Sequence, residues 1–166
     1  MIGEPDNAPV RTGIGYDCHR FAPRRRLVLG GVEFDHPRGL EGHSDADVVT
    51  HAVIDALLGA AGLEDIGHHF PDSDERYRDA DSIGLLRETG ALLAEHGLKV
   101  DNVDATIVIE RPAISPARGA MRQRLAEALG LSVGQVNVKA TRGEGMGFVG
   151  REEGVAALAV ATISKL

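Results

Sequence analysis

The sequence predicts a protein of the α+β class, built as a two-layer α/β sandwich with a mixed sheet and helices packed on one face. Segments with strand-like alternation interleave with segments of helical apolar spacing, and a short hairpin pattern surrounds Gly30-Gly31. The hairpin favours a mixed sheet over a purely parallel one. The length, 166 residues, favours a single domain with a core of its own.

The first strand is predicted over residues 10–19. Its side chains form two alternating sets, one apolar and one that begins with two glycines. We expect the apolar set to face the core, and we expect something to approach the backbone closely on the glycine side. The apolar set is Ile14, Tyr16 and Cys18, and the second set is Gly13, Gly15, Asp17 and His19.

The hairpin and three further strands follow in chain order. Two apolar triplets on either side of Gly30-Gly31 form the hairpin. The last strand contains several alanines, but its β-branched residues favour strand over helix. The hairpin covers residues 27–29 and 32–34, and the strands cover 103–109, 136–140 and 155–165.

Three helices are predicted, each from helical apolar spacing and a terminal signal. A long acidic loop that includes residues 65–74 separates the first two. The helices run from Ser44 or Asp45 to residue 61, from Asp81 or Ser82 to residue 96 before Gly97, and from Ser115-Pro116 to residue 129 before Gly130.

Composition limits the function classes. The net charge is −7, from 18 basic and 25 acidic residues, so general nucleic-acid binding is not expected. No apolar run approaches the ~20 residues of a membrane helix. Cys18 is the single cysteine and suits a reducing compartment, so we expect a cytoplasmic location. Residues 1–9 are expected to be a disordered or frayed tail, and residues 10–166 a single catalytic domain.

A candidate metal site joins two distant segments. Asp17 and His19 point to the same side of the first strand, and His51 lies opposite the apolar face of the first helix, where packing does not require an imidazole. Two nitrogens and one carboxylate oxygen on one cation would leave a coordination position open, as in catalytic zinc sites. The same donor set suits non-haem Fe(II), so both metals remain open from the residues alone.

Two further segments are typical of phosphate binding. His43-Ser44 comes at the predicted start of the first helix, whose free N–H groups attract phosphate, and His43 could donate to a developing negative charge. Residues 141–151 contain four glycines that let backbone N–H groups turn toward phosphates. Glu144 in this segment could hold a divalent ion against them.

Seven stretches of the chain carry a resemblance to a known family. The chain is similar to the 2-C-methyl-D-erythritol 2,4-cyclodiphosphate synthases of the non-mevalonate isoprenoid pathway, from about Arg11 to the C-terminus and with the motifs in the family's order. The stretches are GYDCH at 15–19, HSDAD at 43–47, HAVIDALLGA at 51–60, DIG at 65–67, FPDSD at 70–74, NVKAT at 137–141 and GFVGR at 147–151.

The resemblance implies a homotrimer with active sites between neighbouring subunits, each subunit packing a four-stranded mixed sheet against helices. It implies one Zn²⁺ per subunit on Asp17, His19 and His51, and a second divalent ion, Mg²⁺ or Mn²⁺, on Glu144. Asp65 to Asp74 would hold the erythritol portion, residues 109–115 and 141–144 the cytidine and its phosphates, and Phe148 and Arg151 would close the pocket. Beyond the zinc ligands, the expected substrate-binding residues are His43, Ser44, Asp65, Ile66, Gly67, Phe70, Pro71, Asp72, Ser73, Asp74, Ile109, Pro112, Ala113, Ile114, Ser115, Thr141, Arg142, Gly143, Glu144, Phe148 and Arg151.

The implied reaction converts 4-diphosphocytidyl-2-C-methyl-D-erythritol 2-phosphate into 2-C-methyl-D-erythritol 2,4-cyclodiphosphate and CMP, which makes the chain a phosphorus-oxygen lyase. We expect catalytic roles for His43 and Arg142. The expected partners are this small cytidine diphosphate substrate and further copies of the chain, without nucleic acid or membrane. Positioning and charge stabilisation would suffice for such a phosphoryl transfer.

Two positions depart from the family pattern and keep alternatives open. Arg142 replaces a usual threonine, and Ala113 replaces a common lysine. Arg142 leaves room for a non-catalytic trimeric module that binds isoprenoid diphosphates. The donor set of Asp17, His19 and His51 leaves room for a non-haem iron oxygenase, in which Glu144 would have no purpose.

Overall fold

The computed structural model describes residues 10–166. Its main sheet has five strands in the order β4-β1-β7-β5-β6, and β2 pairs with β3 in a separate hairpin. The predicted tail over residues 1–9 lies outside the described residues. The strands are β1 (Val10–Pro23), β2 (Leu27–Leu29), β3 (Val32–Phe34), β4 (Arg38–Leu40), β5 (Leu98–Val108), β6 (Val136–Thr141) and β7 (Gly154–Lys165).

Three long helices cover one face of this sheet, and two four-residue helices lie in its connections. The long helices pack on β1, β5, β6 and β7, with the core between the two layers. Within residues 10–166, no helix combines the length and the apolar character that crossing a membrane requires. The helices are α1 (Val48–Ala61), α2 (Ile66–His69), α3 (Ser82–Glu95), α4 (Arg118–Leu129) and α5 (Gly147–Gly150).

The predicted mixed sheet is confirmed, but the predicted count of four strands is wrong. β5 and β6 are parallel, whereas β1 and β5 each run antiparallel to β7. The additional strand is β4, whose three residues pair antiparallel with residues 21–23 of β1 at the edge of the sheet. A three-residue segment is too short to show the alternation by which strands are recognised in a sequence.

The predicted orientation of β1 is also wrong. Ile14 and Tyr16 are 69% and 53% exposed, and Cys18 is exposed as well, on the sheet face that no helix covers. The face with Gly13 and Gly15 lies against α1 instead. The expected close approach to the glycines is therefore confirmed, and α1 is the element that approaches. Gly13 and Gly15 are consecutive positions on this face, and neither has a Cβ, so the α1 backbone can come close to β1.

The start of α1 differs from the prediction because Asp47, and not Ser44 or Asp45, caps the helix. The buried Asp47 carboxylate accepts hydrogen bonds from the backbone N–H of Thr50 (3.1 Å) and of Gly30 (2.8 Å) and Gly31 (2.7 Å). One side chain thus joins α1 to the hairpin turn. At this helix start, where a phosphate site is predicted, the Asp47 carboxylate already accepts the Thr50 N–H.

Candidate metal and substrate site

Asp17, His19 and His51 converge as the sequence predicts. Asp17 Oδ2 lies 2.9 Å from His19 Nε2 and 3.1 Å from His51 Nδ1, and the two ring nitrogens are 3.4 Å apart. Asp17 and His19 alternate on the glycine face of β1, which turns them toward α1, and His51 lies on the first turns of α1. The cluster therefore forms because side chains alternate along β1 and because α1 packs closely on that strand.

The geometry of this cluster fits a divalent cation. Tetrahedral Zn²⁺ with bonds of ~2.0–2.2 Å sets its ligand atoms roughly 3.3–3.6 Å apart, so the three observed separations need to open by only a few tenths of an ångström. Within residues 10–166 this is the one group of three potential ligands whose donor atoms all lie within 4.8 Å of one another. Two imidazole nitrogens and a carboxylate oxygen form a donor set that zinc accepts.

The electrostatics of the cluster also favour a positive charge at its centre. Burial raises the pKa of Asp17, but the close contacts with the His19 and His51 ring nitrogens and the charges of these rings outweigh burial and lower this pKa to about 2. Burial lowers the pKa of His19, but the hydrogen bond to Asp17 and its charge outweigh burial and raise it. The Asp17 carboxylate thus stays ionised and attracts either a protonated imidazole or a metal ion.

Both imidazoles are held on the side that faces away from Asp17. Glu41 O accepts from His19 Nδ1 at 2.8 Å. His51 Nε2 lies 2.8 Å from Ser82 Oγ and 3.2 Å from Ser44 Oγ. Such outer contacts orient metal-binding histidines in known sites, so this arrangement supports the fit to a metal.

A cavity of about 290 Å³ opens beside the cluster and brings together one half of the predicted substrate residues. Three predicted residues do not line it: Asp65 caps α2, Ser73 is exposed, and Asp74 accepts hydrogen bonds from Arg76. The predicted residues in its lining are Asp17, His19, His43, Ser44, His51, Ile66, Gly67, Phe70, Pro71 and Asp72, and the others are Gly42, Tyr77 and Leu85.

Buried and half-buried hydrogen bonds shape the walls of this cavity. The Arg25 guanidinium donates to the carbonyl oxygens of Leu40 (2.9 Å), Gly42 (3.2 Å) and Ser44 (2.8 Å). Asp55 of α1 accepts the N–H of Ile66 at 2.8 Å, which fixes the start of α2. Both walls therefore depend on side chains that lie outside the cavity.

A second cavity, of about 200 Å³, is lined by seven of the other predicted residues, while Gly143 and Glu144 lie outside its lining. Glu110 lines it and accepts a hydrogen bond from the Gly143 N–H, which holds the glycine-rich segment against the end of β5. Glu144 is exposed, with a φ of 53°. Predicted residues in the lining are Ile109, Pro112, Ala113, Ile114, Ser115, Thr141 and Arg142, and the others are Glu110, Arg118 and Ala140.

The two cavities lie apart within one chain. They share no lining residue, and they belong to β1 and to the β5–β6 edge respectively. β1 and β6 are separated by β7 and β5, and three strand spacings correspond to roughly 14 Å. Phe148 and Arg151, predicted to close the pocket, line neither cavity: Phe148 is exposed on α5, and Arg151 pairs with Glu153 at 3.2 Å.

Comparison with known proteins places these features in a family. A sequence profile described as the YgbB family matches residues 10–164. The chain belongs to the YgbB family. A 2-C-methyl-D-erythritol 2,4-cyclodiphosphate synthase of Alkaliphilus metalliredigens is 53% identical over 94% of this chain and 98% of its own length. The family resemblance predicted from the sequence is confirmed.

Other YgbB-related proteins are longer or carry a ligand. The bifunctional enzyme IspD/IspF of Anaeromyxobacter dehalogenans is 64% identical over 94% of this chain, and the chain spans 40% of the length of that protein. A structure of 2C-methyl-D-erythritol-2,4-cyclodiphosphate synthase with CDP bound superposes with a TM-score of 0.85, at 35% identity over 93% of this chain and 100% of that chain.

Sequence reasoning missed several residues of this YgbB site. Ser82 contacts His51, Asp45 holds Ser82 in turn, and Glu110 holds Gly143, although each pair is far apart in the sequence. Arg25 belongs to the basic run at 24–26, and its guanidinium donates to three carbonyl groups. A buried serine at the start of α3 was the one available signal, because a hydroxyl there must find a partner.

Proposed function

We propose that this chain converts 4-diphosphocytidyl-2-C-methyl-D-erythritol 2-phosphate into 2-C-methyl-D-erythritol 2,4-cyclodiphosphate and CMP. The observation that carries the proposal is the convergence of Asp17, His19 and His51 at a cavity of about 290 Å³, in a chain of the YgbB family. A cluster that lacks a fourth protein ligand leaves room for a phosphate oxygen.

The metal half of the site holds the methylerythritol portion. Asp17, His19 and His51 bind one Zn²⁺, which supplies Lewis acidity toward a phosphate oxygen when it is bound. His43 lines the same cavity, and its Nε2 donates to the Asp74 carbonyl at 3.1 Å, which fixes the ring against the loop that follows α2. Phe70 and Pro71 give this cavity an apolar wall that excludes water from the reacting phosphates.

The second cavity holds the cytidine and its phosphates. Thr141 and Arg142 line it, and Glu110 fixes the turn at Gly143. Glu144 follows in this turn and binds a second divalent ion, Mg²⁺ or Mn²⁺, together with the substrate diphosphate, since Mg²⁺ commonly uses one or two carboxylates plus phosphate oxygens. Arg142 donates to the same phosphates in place of the family's usual threonine.

The reaction needs both halves at once, so we propose a homotrimer that joins the two cavities across subunits. The uncovered sheet face carries Ile14, Tyr16, Leu158 and Val160, which are 38–69% exposed. Several large apolar side chains on one uncovered sheet face are typical of a protein interface. Three copies that pack through this face can form a closed ring. A neighbouring copy would then place its β5–β6 cavity beside the β1 cavity of this chain, although the two cavities lie roughly 14 Å apart within one chain.

Bond changes in the proposed reaction are simple. An oxygen of the 2-phosphate forms a bond to the β-phosphorus, and the bond from this phosphorus to the oxygen that bridges to the α-phosphate breaks. CMP leaves with that oxygen and its electron pair. Holding the substrate's own phosphate in line can contribute ~7–11 kcal/mol, so no nucleophilic side chain is required.

Phosphorus NMR of the cytidylyl substrate tests the proposed function. We expect CMP and a cyclic diphosphate in equal amounts when Zn²⁺ and Mg²⁺ are present, and loss of both products for His51→Ala. Tight substrate binding without turnover would contradict the proposal and favour a binding module. An Arg142→Thr variant that then restored turnover would locate the defect at residue 142.

A further inference from the structure

Ser82 lies behind the metal cluster and is fully buried at the start of α3. Its Oγ is 2.8 Å from His51 Nε2, the ring nitrogen that faces away from Asp17. A buried hydroxyl has one proton to donate, so the direction in which Ser82 donates determines what His51 can do.

Asp45 determines that direction. As a carboxylate it only accepts hydrogen bonds. Its Oδ2 accepts the Ser82 N–H at 3.1 Å, and its Oδ1 accepts the Asp47 N–H at 3.1 Å. The Ser82 hydroxyl makes a short contact with the same Oδ1. Two oxygens that face each other without a proton between them repel, so the hydroxyl proton of Ser82 belongs to this contact.

The remaining lone pairs of Ser82 then face His51. Because the Ser82 proton is used toward Asp45, its oxygen can only accept from the ring, and the proton of neutral His51 must be on Nε2. The lone pair is left on Nδ1, which lies 3.1 Å from Asp17 Oδ2 and 3.4 Å from His19 Nε2. This is the nitrogen that points into the cluster. Two acceptor atoms that face each other at this distance repel, so the arrangement favours a cation beside them.

We infer that Ser82 and Asp45 are positioning residues that hold His51 in the Nε2–H tautomer and so prepare its Nδ1 lone pair for a divalent cation. The inference deepens the proposed function and rests on it for the role of the metal. At other metal sites a carboxylate or carbonyl accepts the second ring N–H of the histidine directly and so fixes its tautomer. Here the Ser82 hydroxyl lies between the Asp45 carboxylate and the His51 ring and has the same effect.

Ser44 offers a matched comparison at the same ring nitrogen. Its Oγ lies 3.2 Å from His51 Nε2 and accepts the Ala46 N–H at 3.2 Å. Among the described residues, no carboxylate accepts the Ser44 proton, so this hydroxyl can either donate to the ring or accept from it. Ser44 therefore contacts His51 without imposing a tautomer.

Long-range ¹H–¹⁵N NMR of the metal-free protein tests the tautomer directly. In alkaline buffer, well above the ordinary imidazole pKa of ~6.5, we expect wild-type His51 and Ser44→Ala to show a proton on Nε2. For Ser82→Ala we expect a mixture in which the Nδ1–H form donates to Asp17. Wild-type protein with the proton on Nδ1 would overturn the inference without any variant.

Zinc affinity, measured by chelator competition, provides the second readout. We expect Ser82→Ala to bind zinc about 10–100-fold more weakly than wild type. Ser82→Ala retains the backbone N–H that Asp45 accepts, and circular dichroism checks that α3 still forms. Wild-type affinity in Ser82→Ala would overturn the inference. A wild-type chain with the Nε2–H tautomer but no zinc binding would support the tautomer and contradict the proposed function.

Discussion

Gly13 and Gly15 determine how closely β1, the strand of Asp17 and His19, approaches α1. A Cβ added to Gly15 would lie 1.9 Å from the Ala52 carbonyl oxygen, and one added to Gly13 would lie 2.1 Å from that of Ala56. Both distances are far below van der Waals contact, and backbone atoms cannot rotate away. The next residue on the same face is Asp17, so this contact also carries the carboxylate toward His51.

Gly15→Ala is therefore expected to destabilise the protein by ~3 kcal/mol or more, because β1 and α1 must move apart. The matched control is Gly59→Ala on the exposed side of α1, where the added Cβ would be 3.9 Å from the Ile14 carbonyl oxygen. There we expect a gain of ~0.5–1 kcal/mol from helix propensity. Urea denaturation measures both, and equal stabilities for the two variants would contradict the packing described.

His19 gives the metal-free protein a predicted dependence on pH. Its pKa is raised in the folded state, chiefly through Asp17 against the opposing effect of burial. The ion pair therefore stabilises the fold fully below the unfolded imidazole pKa of ~6.5, and this contribution is lost as the pH rises through the folded pKa.

Urea denaturation between mildly acidic and alkaline pH checks this dependence. We expect the free energy of unfolding of the metal-free protein to fall as the pH rises through the His19 pKa, and we expect a smaller fall for His19→Gln. The other histidines are unchanged in this variant and serve as an internal control. An equal pH dependence in both proteins would show that the Asp17–His19 pair does not form.

The metal residues could be predicted from the sequence, but the orientation of their strand could not. Alternation along residues 10–19 correctly puts Asp17 and His19 on one face, because this depends only on the backbone. Which face is covered depends on the partners of the sheet. Ile14 and Tyr16 are of types that are normally buried, but here they lie on the sheet face that no helix covers. The two glycines indicated that something approaches this face, but they could not show that a helix does so and thereby makes it the buried face.

At the scale of elements, Asp47 connects α1 with the β2–β3 hairpin. Its carboxylate accepts from three backbone N–H groups and from the Thr50 hydroxyl, the last at 2.7 Å. The hairpin turn and the helix start therefore form as one unit. His51 follows one turn later, so the position of the metal cluster depends on this connection.

Asp47→Ala is expected to lower the free energy of unfolding by at least ~3 kcal/mol, because each buried donor left without a partner costs ~1–3 kcal/mol. Asp81→Ala is the control, since Asp81 caps α3 through the Ile83 N–H alone and is exposed. There the loss should be ~1 kcal/mol, the ordinary value for an N-cap. Thermal denaturation that ranked the two variants in the reverse order would contradict the role of Asp47.

Elements with a local sequence signal were predictable, and those without one were not. The hairpin at 27–29 and 32–34 and the last strand match their predictions, since each carries a local signal in turn residues or alternation. The cap of α1 was assigned to the wrong residue because three residues able to cap a helix, Ser44, Asp45 and Asp47, occur within residues 44–47. The strand β4 and the helices α2 and α5 have three or four residues each and depend on tertiary contacts.

At the scale of the whole molecule, most of the predicted site residues line one of two cavities that share no residue. The sequence grouped most of the lining residues of each cavity together, because they fall in a few short stretches of the chain. It could not show their separation, since that depends on the strand order β4-β1-β7-β5-β6. A site between subunits accounts for both observations.

Complementation between inactive variants tests the shared site. His51→Ala removes one half of the site and Glu144→Ala the other, so each is expected to be inactive alone. After both are unfolded, mixed equally and refolded together, we expect up to ~25% of wild-type CMP formation, because a random trimer pairs two intact halves at about one interface in four. Refolding each variant alone is the control. No recovery in the mixture would place both halves in one subunit.

The claim on which the account depends is that Asp17, His19 and His51 bind one divalent cation. Metal analysis after zinc loading and dialysis measures this directly, with His96→Ala as the control, since His96 ends α3 on the surface, away from the cluster. We predict one zinc per chain for wild type and His96→Ala, and almost none for His51→Ala. Full zinc content in His51→Ala would contradict the account.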